Sequence, residues 1–157
     1  RNLRACFSGQ MSPRELKAIL KESYRHFAMS MAELLLITER REEEMRGLLE
    51  VEHLETLDRL LSAGRGVILL CGHFGNWEFS GLMAGVLNYP IAVLVKPQKH
   101  PKSDAFLNGL RGSRGALVVQ RGMAVRQIPK LLSKGGIVGI LADQDAGTEG
   151  VFVDFFG

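Results

Sequence analysis

A chain of 157 residues, 46% of them apolar, can bury one substantial core, which fits one domain or most of one and excludes a disordered tail. Its two cysteines, Cys6 and Cys71, lack metal-type spacing and the second sits inside an apolar run, so no disulfide framework is expected and a reducing compartment fits. The net charge of +3 is uneven: Arg1 to Arg65 cancel to zero, whereas Lys96 to Lys134 hold nine basic residues against Asp104 alone, a local +8 that attracts phosphates, anionic lipid or acidic proteins.

In chain order, the start RNLRACFSGQ has no signal-peptide core, and no apolar run reaches the roughly 18 residues of a membrane-spanning helix. Ser12-Pro13-Arg14-Glu15 reads as a capping box, and Leu16, Ile19, Leu20, Phe27, Met31 and Leu34 continue at helical spacing into the late thirties. REEEMR reads as a charged connection or helix end, and GLLEV as a short strand. Leu54, Leu57, Leu60 and Leu61 then predict a helix that Gly64 terminates.

From there the pattern alternates. Four apolar runs have the length of buried strands, Val67 to Cys71, Ile91 to Val95, Ala116 to Val119 and Ile137 to Ala142, with helical stretches between them. Such alternation predicts an α/β fold: a largely parallel or mixed central sheet flanked by helices and preceded by N-terminal helices. Pro129 interrupts the last helical stretch, Val125 to Leu132, and predicts that it falls in two pieces. No linker or repeat divides the chain, so residues 1–157 read as one domain, with 1–63 a helical lead-in and 64–157 the alternating catalytic part.

The stretch GVILLCGHFGNWEF ends a strand on Gly72-His73 and starts a helix at Asn76 with Glu78 in its first turn. In open α/β sheets ligands bind at that edge. The glycines Gly72 and Gly75 permit a sharp turn and close substrate approach. Glu78, one helical turn on, is placed to accept from one imidazole nitrogen of His73 and leave the other basic, the makings of a general base. Cys71 is the rival as a nucleophile, but a thiol within an apolar strand is expected to be core packing. At the end of the fourth strand, Asp143 and Asp145 read equally as a weak site for a hard cation and as turn-capping residues, while Phe152, Phe155 and Phe156 form an apolar cluster suited to core or to an acyl chain. The basic stretch has Phe106 as its only aromatic residue, which argues against single-stranded nucleic acid.

These residues resemble the bacterial late acyltransferases of lipid A biosynthesis, within the lysophospholipid acyltransferase superfamily. HFGNWE looks like that family's His-x4-acid motif, and the likeness extends through Lys96-Pro97, the LRGSRGALVV region with Arg111, and LADQDAGTEGVFVDFFG, with weaker similarity back to NLRACF. The resemblance implies a glycerol-3-phosphate acyltransferase-like fold and transfer of a fatty acyl group from acyl carrier protein to a hydroxyl of a lipid A precursor or related glycolipid. It makes His73 the general base, assisted by Glu78, and implies binding roles for Arg111, Asp143, Gly75, Asn76 and Lys96. It implies no cofactor and no metal, since a thioester is already activated. The implied partners are acyl carrier protein, the glycolipid and an anionic membrane surface, with no nucleic acid, at the cytoplasmic face of the bacterial inner membrane. Members of the family are longer, carry an N-terminal apolar anchor and continue beyond the FFG region, so a partial chain is expected. Asp154 stands where the family commonly has proline. Two other readings of the residues are an acyl-thioester or lipid hydrolase using the same His/Glu pair, and a non-catalytic module binding anionic lipid through residues 96–134.

Overall fold

The computed structural model describes residues 1–7, 9–144 and 147–154. Asp145, Phe155 and Phe156, singled out above, lie outside the described residues. The chain begins with α1 (Asn2–Phe7) and the long α2 (Pro13–Ile37). The capping box forms as the sequence predicts: the Ser12 amide donates to Glu15 Oε2 at 2.7 Å, and the Glu15 amide donates to Ser12 Oγ at 3.3 Å. The bonds that its carboxylate accepts from the Ser12 amide and hydroxyl hold the Glu15 carboxyl below its ordinary range, the amide first. At the other end of α2, the Arg114 guanidinium donates to the carbonyls of Thr38 and Arg40 at 3.0 and 2.6 Å, satisfying acceptors that a helix end leaves open.

The charged run is helical. It forms α3 (Glu42–Arg46), in which Met45 is fully buried beside Leu34, Ile37, Leu82, Met83 and Val86, and Arg46 donates to the Val86 carbonyl. Residues 47–51 form a turn and irregular connection where GLLEV had predicted a strand; none of the described strands pairs with them. Then α4 (Leu54–Ser62) sets Leu57 and Leu61 against Val67, Leu69, Ile91 and Ile137.

Four strands follow, β1 (Val67–Cys71), β2 (Ile91–Val95), β3 (Leu117–Gln120) and β4 (Ile137–Leu141), with α5 (Trp77–Val86), α6 (Pro101–Gly112) and α7 (Ala124–Leu132) in the connections. All pairings among the described residues are parallel, in the order β1-β4-β2-β3. β-branched and leucine-rich runs this short form strands because they pack well on a pleated surface buried on both sides. Alternation along them sends Ile91 and Ile137 toward α4 and α5, and Ala92 and Val138 toward α7, where Val119, Ile128 and Leu131 join them. Each large side chain buried to this degree is worth about 1.5–3 kcal/mol relative to exposure. The edge strand β1 differs, since Ile68 and Leu70 remain 54% and 72% exposed. Cys71, expected to be core packing, is exposed as well.

Pro129 does not split α7, which runs through it as one helix preceded by a 3-10 turn at Arg121–Met123. Pro129 is the sixth of nine helical residues and costs the helix a backbone bond, which packing of Ile128, Leu131 and Leu132 on the sheet outweighs. What positions the site is the place of β4: the chain leaves β1, returns at β2, and β4 later enters between them. That register pairs Cys71 with Leu141 and brings the turns after β1 and β4 side by side.

Candidate functional site

At the end of β1 the chain turns through Gly72, His73, Phe74 and Gly75 before α5. Gly75 has φ 61°, a left-handed conformation that a side chain disfavours. Asn76 caps α5, its side-chain oxygen accepting from the Phe79 amide at 3.1 Å, and its side-chain nitrogen donates to Glu33 Oε2 at 2.7 Å and to the Ser30 carbonyl at 3.4 Å. One side chain thus starts the helix and ties the turn to α2. Gly72 allows the other neighbour in: a Cβ there would meet Asp143 Oδ2 at 3.2 Å.

Asp143, one position past Ala142, fills that gap. Its Oδ2 accepts from the His73 backbone amide at 2.6 Å, and its Oδ1 lies 2.6 Å from His73 Nδ1. These bonds, the one to the His73 ring first, hold the Asp143 carboxyl below its ordinary value. An ionised carboxylate at Nδ1 requires that nitrogen to carry a proton, which leaves the lone pair on Nε2. The ring also meets Trp77 edge-on at 5.0 Å between centroids.

Glu78 does not take the place at the ring nitrogen that the sequence suggested. Its carboxylate forms a two-pronged pair with Arg111 of α6, Nε donating to Oε2 at 2.8 Å and a terminal nitrogen to Oε1. Arg111 also donates to Asn108 Oδ1 at 3.0 Å, and Asn108 donates to Asp104 Oδ2 at 3.0 Å. The Asp104 Oδ1 accepts from the Gln98 amide at 2.7 Å, so the chain of polar contacts runs from the loop after β2 to the first turn of α5. Glu78 raises the affinity of the Arg111 guanidinium for its proton, against the opposing effect of burial. The partner of His73 is therefore Asp143, seventy residues away, because parallel pairing of β1 with β4 brings it closer than the helical turn brings Glu78.

His73, Glu78, Lys96 and Arg111 all border one cavity of about 280 Å³, floored by Leu82, Val93 and Leu141. Gly75 and Asn76 border other hollows. Trp77, Gln98 and Gln144 also line the first cavity and were not singled out from the sequence; their only signal there is closeness to strand ends. Of the nine basic residues between Lys96 and Lys134, Arg111 and Arg114 turn inward to protein partners, and the other seven are exposed. Among the described residues no helix is long and apolar enough to cross a membrane. The geometry has the parts of a base: an oriented imidazole, 28% exposed, at an open cavity with an aliphatic floor.

The family model for bacterial lipid A biosynthesis acyltransferases matches residues 1–157. The chain is 28% identical over 158 residues to the lipid A biosynthesis palmitoleoyltransferase of Escherichia coli (strain K12), with 99% of this chain and 50% of that protein covered. The lipid A biosynthesis acyltransferase of Shigella flexneri matches to the same degree. Identity to the phosphatidylinositol mannoside acyltransferase of Mycobacterium tuberculosis (strain ATCC 25618 / H37Rv) is 32% over 110 residues, 66% of this chain and 34% of that protein. The chain spans about half the length of the first two of these relatives.

Proposed function

The chain belongs to the bacterial lipid A biosynthesis acyltransferase family, and from that premise we propose that the complete protein moves a fatty acyl group from acyl carrier protein to a hydroxyl of a lipid A precursor or related glycolipid. The observation that carries this reading is the His73–Asp143 pair, whose imidazole borders a cavity with an aliphatic floor. A sugar hydroxyl has a pKa far above neutrality, so its proton must leave as the new bond forms. His73 Nε2 takes that proton while the oxygen attacks the thioester carbonyl. The tetrahedral adduct then collapses, the carbon–sulfur bond breaks, and the departing thiolate takes the proton back from the imidazolium. Product ester and free thiol balance the reaction.

Asp143 steadies the imidazolium between the two transfers. The positive end of α5 stands beside the turn that carries His73 and favours the negative charge developing on the carbonyl oxygen. Glu78 and Arg111 act as a half-buried brace that keeps α5 and α6, and with them the cavity wall, in register. The exposed lysines and arginines after Val95 suit an acidic carrier protein and an anionic membrane surface at the cytoplasmic face of the inner membrane.

The test is acylation of a lipid A precursor by the complete protein, with wild type compared against His73→Ala and Asp143→Asn. Loss of a general base is expected to lower kcat by about 10² to 10⁴. The asparagine variant should fall by about a hundredfold or more, because an amide cannot hold the same tautomer. Wild-type rates in His73→Ala would rule out the base. Thioester cleavage that ignores added acceptor would make the protein a hydrolase instead.

A further inference from the structure

His73 and Trp77 line two cavities. Besides the aliphatic one, a groove of about 550 Å³ runs between α2 and the His73 turn, bordered by Ser23, His26, Phe27, Ser30, Phe74 and Gly75. The α2 residues fall at i, i+3, i+4 and i+7, so they share one helical face. Phe27 and Trp77 lie with ring centroids 6.4 Å apart at 30°, and Phe74 beside them is 92% exposed. Asn76 anchors this arrangement through its bonds to Glu33 and the Ser30 carbonyl.

The two cavities differ in chemistry. The first has a floor of Leu82, Val93, Leu94 and Leu141, with Gly81 leaving room where a Cβ would stand 3.4 Å from Val93 Cγ1, and a charged rim of Glu78, Lys96 and Arg111; an aliphatic floor suits a hydrocarbon chain and a charged rim the polar group that carries it. The groove sets aromatic rings beside hydroxyl and imidazole groups. A sugar ring presents the complement, an apolar C–H face with hydroxyls around its rim. Two substrates must also converge on a single nitrogen, since Asp143 occupies Nδ1 and Nε2 alone is left to act. Separate cavities bordered by one imidazole meet that need.

We infer that the groove between α2 and the His73 turn is the acceptor subsite, where the sugar bearing the reacting hydroxyl lies against Phe27 and Trp77 and is held by Ser23 and His26. The acyl donor takes the aliphatic cavity. This assignment rests on the acyltransferase reading above and divides its two substrates between two walls of one histidine.

The experiment uses the complete protein with Ser23→Ala, His26→Ala and the double variant, a lipid A precursor as acceptor and a fatty acyl thioester as donor. Both side chains are exposed, so the variants keep the fold. Each is expected to raise the acceptor KM about tenfold, the loss of one hydrogen bond, while donor KM and the slow hydrolysis of donor by water stay within twofold. Binding without turnover gives a second readout: acceptor added alone should alter Trp77 fluorescence, with the titration midpoint about tenfold higher in the variants and the signal absent in Trp77→Phe. An unchanged acceptor KM, or a rise in donor KM in its place, overturns the assignment. Failure of wild type to acylate any glycolipid overturns the acyltransferase reading itself, and the subsite with it.

Discussion

The His73–Asp143 pair and the Glu78–Arg111 pair join residues 70 and 33 positions apart in sequence, and both stand near the end of the sheet where β1 and β2 finish. The side chains of the first pair are 28% and 46% exposed, whereas those of the second are 11% and 14% exposed. Exposure separates what each can do. A partly open imidazole with one nitrogen occupied by a carboxylate can exchange protons with a bound molecule. A carboxylate held by both prongs of a half-buried guanidinium has its two oxygens already engaged. By sequence pattern both carboxylates stand near strand ends, yet the geometry sets one against the imidazole and the other against a guanidinium.

The sharpest way to break this contrast is to remove one partner from each pair. His73→Ala should lose about 10³ in kcat with only a small fall in thermal midpoint, since the ring bond to Asp143 that it removes is partly exposed. Arg111→Ala should lose about 2 kcal/mol of stability, since it leaves a half-buried carboxylate unpaired, and its midpoint should fall by roughly 6 °C in calorimetry. If Arg111→Ala unfolds at the wild-type temperature, the brace is not structural and Glu78 returns as a candidate partner for chemistry.

A smaller effect is expected at Asn76, which links the two regions by capping α5 and holding α2. Asn76→Ala should cost about 1 kcal/mol in urea unfolding, the usual worth of such a cap, and should raise acceptor KM more than it lowers kcat.

The smallest effect concerns Asp143 and pH. Its carboxyl is held below the ordinary 3.8, first by the His73 ring and then by the His73 amide. A group depressed in the folded state stabilises the fold above its unfolded value and loses that contribution as pH falls through the folded value. Wild type should therefore unfold at higher urea than Asp143→Asn near neutrality, and the two should converge as pH drops below about 3.9. A difference that persists unchanged into acid would mean that the carboxylate charge is not what holds the turn.

Local features were legible in the residues. The capping box at Ser12, the cap at Asn76 and the limits of β1 and β2 match the sequence expectation, because each depends on neighbours within four or five positions. The parallel sheet also followed from the spacing of apolar runs between helical ones. Misjudged features depended on distant partners. Met45 makes REEEMR a helix by entering a pocket between α2 and α5, and GLLEV has no neighbouring strand among the described residues to pair with. Cys71 is exposed because β1 lies at the edge of the described sheet, a position no local pattern encodes. Likewise Arg111 and Arg114 counted toward a basic surface in the sequence and prove to be internal ties.

By itself the amino-acid order determined that His73 would end a strand, that a helix would start at Asn76, and that acid residues would gather at strand ends, since capping and hydrophobic periodicity act over a few residues. Which acid meets His73 was decided by the tertiary structure alone. The entry of β4 between β1 and β2 is a choice among strand orders set by packing over the whole sheet, and through it Asp143 is carried to the imidazole while Glu78 is drawn away to Arg111.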